Sequence, residues 1–192
     1  MLNYLATSMN WGWDKFFITL SISSDPTYQI LITLFVFVIL YLLNNKLEAI
    51  CSVFNIGFTG LTNLILKNTV KRYRPLEPRL MEAHGYGFPS GHSSISTAIG
   101  IVLIYFIIKR IKNKKIAYLL SGLIITYLVL VGISRVYVGA HYPTDVFGGW
   151  FIAAVWSYIS IVLYKLCIRK GVDKFLDKYF TIKLNIFKKD IR

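Results

Sequence analysis

Residues 28–43 read YQILITLFVFVILYLL, a run with no charged side chain. As an α-helix it is about 24 Å long, and its neighbours extend it towards the roughly 30 Å of a bilayer's hydrocarbon core. A strand would leave backbone N–H and C=O groups unpaired in lipid, whereas a helix satisfies its own. The run is therefore predicted to be a membrane-spanning helix, and it sets the fold class. Four further stretches follow the same logic: Leu47–Leu66, His92–Ile108, Ile116–Ile133 and Val146–Ile168. The second of these is less apolar, and its Gly57, Thr59, Gly60 and Thr62 suit helix–helix packing. The expected architecture is all-α: a polytopic membrane helical bundle of five spans.

The rest of the composition agrees. Hydrophobic residues make up 55% of the 192 residues. Mean hydropathy is +0.55, too apolar for an ordinary soluble domain. The chain is expected to form one domain over residues 1–192. Within it lie an interfacial N-terminal segment (1–25), the bundle (26–168) and a basic tail (169–192). The segment MNWGWDKFFITLSISSD, residues 9–25, is too short and polar to cross. Its Trp11, Trp13, Phe16, Phe17 and Leu20 suit one face of an interfacial helix, and a sixth span is the alternative. No cleavable signal peptide is expected, because Met1–Asn10 lacks a basic start followed by an apolar core. Cys51 and Cys167 fall in apolar stretches and are expected to fill space.

Charge is unbalanced, with 22 Lys and Arg against 9 Asp and Glu, a net of +13. Such an excess fits nucleic acid or a basic cytoplasmic membrane face. The basic residues sit at the ends of apolar runs rather than in one stripe with exposed aromatics, so nucleic acid is not an expected partner. With the loop KRIKNKK (109–115) placed in the cytoplasm, Lys46 and the tail from Lys165 fall on the same side. Lys15, Lys67, Lys71, Arg72, Arg74, Arg79 and Arg135 fall outside, and five of them crowd into residues 67–79. The tail from Lys170 interleaves apolar residues with lysines and reads as a helix on the anionic inner leaflet.

Three polar clusters share the outer side in this topology. In KNTVKRYRP (67–75), Lys67 and Arg74 are two helical turns apart and share a face if the helix runs on to Pro75. Two fixed cations suit a phosphate, although basic residues at a helix end also serve as anchors. In YGFPSGHSS (86–94), Ser90 is a plausible N-cap and Gly91 lets a ligand approach the backbone. The bare N–H groups there make an anion site, with His92 in the first turn. In the third cluster Ser134 and Arg135 close a span, while His141 and Asp145 bracket the start of the last one, where Pro143 fits the first turn. A carboxylate four residues past a histidine can accept its Nδ1–H and leave Nε2 free to attack. No Cys/His set for zinc or acidic cluster for Mg²⁺ is apparent. The predicted site is cationic and needs no metal or other cofactor, a layout suited to phosphoryl transfer. His84 is expected to be a solvated loop residue. Lys71 and Arg72 suit either a second phosphate or interfacial anchoring.

These motifs resemble the type 2 phosphatidic acid phosphatase superfamily, the membrane lipid phosphatases related to vanadium haloperoxidases. That family's pattern is met by Lys67-(NTVKRY)-Arg74-Pro75, by Pro89-Ser90-Gly91-His92 and by Ser134-Arg135-(VYVGA)-His141-(YPT)-Asp145. The resemblance implies catalytic roles for His141 as nucleophile, Asp145 as its orienting partner and His92 as acid and base. It implies phosphate binding by Lys67, Arg74, Ser90, Gly91 and Arg135. The substrate it implies is a lipid phosphate or diphosphate, with undecaprenyl diphosphate on the outer face favoured. Phosphatidylglycerol phosphate or phosphatidic acid is the alternative, and a lipid-phosphate binding or transport protein is the alternative of another class. No protein partner is implied.

Overall fold

The molecule, a computed structural model, describes residues 11–43, 45–76, 79–176 and 178–179, and among these described residues six helices are at least three turns long. They are α1 (Trp11–Ile22), α2 (Pro26–Leu42), α3 (Lys46–Val70), α4 (Gly91–Arg110), α5 (Lys114–Tyr137) and α6 (Pro143–Arg169). Among the described residues there is no strand. Local chemistry sets several of the boundaries. Pro26 and Pro143 open α2 and α6, where a missing N–H costs nothing. The Asn113 side chain accepts from the N–H groups of Lys115 and Ile116 at the start of α5.

Helices α3 to α6 are each long and apolar enough to cross a membrane. Helix α2 has only 17 residues, and it joins α1 through an elbow bent by 51°. Four helices thus qualify as spans on their own, and the bent pair of α1 and α2 passes only when taken together, as a broken span or a re-entrant segment. At about 18 Å, α1 is too short to cross alone. Its Trp13 and Phe16 are exposed while Asp14 and Ser21 are buried. The helix therefore turns aromatic residues outward and lays a polar edge on α5, where the Tyr137 hydroxyl donates to Asp14 at 2.8 Å. Residues 1–10 and 180–192 lie outside the described residues, and with them most of the expected tail helix.

Helix α4 is the hub, packing against α2, α3, α5 and α6. Its first half buries Ser93, Ser94, Ser96, Thr97, Ala98 and Gly100, small side chains that allow close helix approach where no hydrophobic force separates protein from lipid. A Cβ on Gly100 would stand 2.6 Å from Leu128, and one on Gly132 would stand 2.5 Å from Trp150. The tight glycine contacts are thus not where they were expected: Gly57 faces open space, and Gly60 meets only Ile95 at 3.4 Å. Thr62 does receive the Trp156 indole N–H at 2.8 Å. Asn55 bridges α3 to α6 and α4 by donating to Ser157 and to the Ala98 carbonyl. Outward, α2 and α5 present Leu31, Leu34, Phe35, Leu119 and Leu123, an apolar surface of the kind lipid covers.

The end of the bundle remote from the 71–90 loop is tied by Glu48, which is almost fully buried and takes Lys109, Arg110 and the Tyr164 hydroxyl. Truncating it would strip two cations and a hydroxyl of their common acceptor. Glu48→Ala is expected to cost about 2 kcal/mol of stability, read as a lowered Tm of the detergent-solubilised protein. An unchanged Tm would show the cluster to be energetically idle.

Candidate active site

The up-and-down order of α3 to α6 brings the 71–90 loop, the start of α4 and the 138–142 loop to one end of the bundle. Backbone hydrogen bonds stitch them together. Gly87 N donates to Arg72 O at 2.7 Å, Leu80 N to Val138 O at 3.1 Å and Ser90 N to Asp145 O at 2.9 Å. A Cβ on Gly149 would meet the Ser90 carbonyl oxygen at 2.8 Å and Ser94 N at 3.1 Å. Only glycine lets the first turns of α4 and α6 come this close.

The first cluster differs from its expected geometry. Helix α3 does not run on to Pro75. It ends at Val70, where Lys71 turns into the left-handed region at φ 50° and returns its N–H to Lys67 O. Arg74 therefore shares no helix face with Lys67 and enters from the loop. Its guanidinium donates to Gly85 O at 3.0 Å, His84 O at 2.9 Å, Ala140 O at 2.8 Å and His141 Nε2 at 3.1 Å. Lys67 still lies within electrostatic reach of Arg74, Arg135 and Asp145.

Ser90 is the N-cap of α4 and accepts from Ser93, leaving Gly91 and His92 at the helix start, where backbone N–H groups lack intrahelical acceptors. Arg135 is buried in the last turn of α5, with Nη1 on the Ser21 hydroxyl of α1. Its Nε makes no hydrogen bond among the described residues.

His141 is almost fully buried. Arginine can only donate, so His141 Nε2 must carry its lone pair towards Arg74, and the ring proton resides on Nδ1. That proton faces Asp145, but Nδ1 to Oδ2 is 3.5 Å, a contact between ionisable groups rather than the expected hydrogen bond. Asp145 Oδ2 instead accepts from Tyr142 N at 2.9 Å, capping its own helix, and Oδ1 accepts from Arg72 Nη1 at 3.0 Å. Burial, reinforced by the positive charges of Arg74 and Arg135, pulls the His141 pKa from 6.5 down to about 4 against the opposing pull of Asp145. Burial, and after it the charge of Arg79, also lowers Arg74.

All eight residues singled out in the sequence thus gather at one end of the bundle. His92 and His141 are near enough to influence each other's charge. Two partners had not been foreseen. Asp25, the residue before α2, accepts from His92 Nε2 at 2.8 Å. Arg72 is committed to Asp145 and to Thr144 at 2.6 Å, with its guanidinium over the Tyr142 ring, which leaves it ill placed for a second phosphate. In the sequence, Asp25-Pro26 reads only as a helix boundary, and Arg72 as one basic residue among several. His84 is an exposed loop residue. Among the described residues no three His, Cys, Asp or Glu side chains form a metal-binding group. Three partly or fully buried cations beside a neutral imidazole and a helix N-terminus form a cradle for a tetrahedral anion.

A model of the PAP2 superfamily, the type 2 phosphatidic acid phosphatases, matches residues 48–169. The chain is 36% identical to phosphatidylglycerophosphatase B of Bacillus subtilis (strain 168) over 127 residues, which are 64% of this chain and 57% of that protein. It is 29% identical to undecaprenyl-diphosphatase BcrC of the same organism over 143 residues, 69% of this chain and 68% of that one. The match therefore spans little more than half the length of the first relative. Among solved structures, the transmembrane PAP2-type phosphatidylglycerolphosphate phosphatase from Bacillus subtilis superposes with a TM-score of 0.72 at 25% identity, covering 84% of this chain and 80% of that chain.

The lowered pKa has a direct consequence. A histidine that resists protonation in the fold should remain a neutral imidazole at a pH where an ordinary one has become cationic. Ring-¹⁵N NMR of the detergent-solubilised protein, with the His141 signals identified by their loss in His141→Gln, is expected to show a neutral ring down to about pH 5. Titration near 6.5 would contradict the burial.

Proposed function

Because this chain belongs to the PAP2 superfamily, we propose that it is a lipid phosphate or diphosphate phosphatase working through a phosphohistidine. The observation that carries this reading is the His141 imidazole, buried and neutral, with its Nε2 lone pair turned into the cationic cradle. His141 Nε2 attacks phosphorus, and the bond from phosphorus to the leaving oxygen breaks. Arg74 moves from Nε2 to a phosphate oxygen as the substrate enters. His92 supplies a proton to the leaving oxygen. It then takes one from the water that attacks the phosphohistidine and releases phosphate. Asp145 balances the charge that His141 acquires. Lys67, Arg74, Arg135, the Ser90 hydroxyl and the Gly91 N–H hold the equatorial oxygens, where such donors are typically worth roughly 3 kcal/mol each.

The positive-inside balance of the loops supports a site on the extracytoplasmic face, with the basic tail in the cytoplasm. The whole of 1–192 then acts as one phosphatase domain. At that face a lipid head group reaches the site from the bilayer. The favoured substrate is undecaprenyl diphosphate, a reading supported by the likeness to BcrC along 69% of the chain. Phosphatidylglycerol phosphate is the second reading, favoured by the 36% identity to phosphatidylglycerophosphatase B.

Two experiments test the reading. In matched micelles of undecaprenyl diphosphate, phosphatidylglycerol phosphate and phosphatidic acid, the purified protein is expected to release phosphate fastest from the first. His141→Ala should retain less than about a tenth of the activity, and a variant above that level would displace His141 as nucleophile. Because the cradle supplies its own positive charge, EDTA is expected to leave the rate unchanged. Loss of activity restored by Mg²⁺ would overturn the metal-free reading.

A further inference from the structure

We infer that Asp25, in the elbow between α1 and α2, is a positioning residue for His92 and completes the phosphatase site from outside the segment that carries the family motifs. The inference rests on the phosphatase reading above and extends it to a part of the chain that lies outside the matched residues 48–169.

The first observation is what Asp25 does not do. It is the N-cap of α2, a position where an aspartate ordinarily accepts from its own helix's N–H groups. Here its side chain makes no capping hydrogen bond. The carboxylate reaches to the start of α4 instead and accepts from His92 Nε2 at 2.8 Å. The second observation is that the elbow is held for this purpose. Gln29, one turn further along α2 and buried, donates to the His92 carbonyl at 3.1 Å and to Ser96 at 3.0 Å. This docks the first turns of α2 and α4 against each other with Asp25 and Gln29 on the same side. The chain before Asp25 is fixed as well. Ser24 is buried and donates to Ser21 O, Ser23 shares a hydrogen bond with Tyr127 at 3.0 Å, and Phe17 stacks on Tyr137 at 4.2 Å. The Ser21 hydroxyl lies on Arg135, so the same elbow touches a second residue of the cradle.

The chemistry follows from donor rules. A carboxylate accepts only, so its bond to Nε2 keeps a proton there and leaves Nδ1 as the working nitrogen of His92. In the first step the Nδ1 proton passes to the leaving oxygen as its bond to phosphorus breaks and the bond from phosphorus to His141 Nε2 forms. His92 is then neutral, still held at Nε2–H. In the second step Nδ1 takes the proton of the attacking water as the phosphorus–nitrogen bond breaks. The charged neighbours facing His92 are Arg135 on α5, His141 in the following loop and Asp25 in the elbow.

The test exploits leaving groups. A lipid alkoxide needs a proton to depart, whereas nitrophenolate leaves without one. Because kcat/KM covers the steps up to departure, a defect in positioning the acid should fall on the lipid and spare the aryl ester. Asp25→Asn is expected to lower kcat/KM at least about tenfold for phosphatidic acid, a lipid monoester whose leaving group is an alkoxide, yet less than about threefold for p-nitrophenyl phosphate. Equal losses on both substrates, or no loss on either, would overturn the inference while leaving the phosphatase reading intact. If Asp25→Asn is not monodisperse in detergent, Asp25→Ser, which retains a good helix-capping residue, carries the same expectation. Failure of both variants to fold would assign Asp25 a purely structural role. A wild-type protein that releases phosphate from neither substrate would sink the phosphatase reading, and this inference with it.

Discussion

The contact on which the chemistry depends is the one between the starts of α4 and α6. Ser90 N donates to Asp145 O at 2.9 Å, and the missing side chain of Gly149 leaves room for the Ser90 carbonyl. This single junction sets the Pro-Ser-Gly-His turn beside the histidine–aspartate pair. Two helix starts then lie next to each other, each with bare N–H groups and a favourable dipole end. One of them is filled by Asp145, which caps its own helix. The other is left to the cradle. A bulkier residue at position 149 would press on the Ser90 carbonyl and push the two motifs apart.

Around that junction the protein concentrates like charge. Lys67, Arg74 and Arg135 sense one another electrostatically. Such a group is unfavourable until an anion arrives. The fold resists it by fixing two of these cations to neutral acceptors: backbone carbonyls for Arg74, a serine hydroxyl for Arg135. The carboxylates are spent on particular partners. Asp145 serves Tyr142, Arg72 and His141, and Asp25 serves His92. The result is a site that is positive where phosphate oxygens would lie and anionic only behind the two imidazoles.

The remote end of the bundle handles charge in the opposite way. Glu48 is buried, and the cations come to it. Between the two ends, Asn55, Ser157, Thr62 and Trp156 pair within the helical layer. These hydrogen bonds, with the small residues of α4, hold helices together in a medium where apolar burial gives little preference for protein over lipid.

By itself the sequence determined the class of fold, because uncharged runs of membrane length leave the backbone no alternative to helix. It also determined which residue types meet in the site, because the motif spacings place them at helix ends that an up-and-down order must gather. It did not determine where α3 stops, because the left-handed turn at Lys71 carries no glycine or proline to announce it. Nor did it reveal that the expected His141–Asp145 hydrogen bond is a longer contact, since that depends on how Tyr142 and Arg72 compete for one carboxylate. Asp25 was invisible for the same reason. Its partner lies 67 positions away in the chain, and only the packing of the elbow against α4 decides that this aspartate faces a histidine instead of capping its own helix.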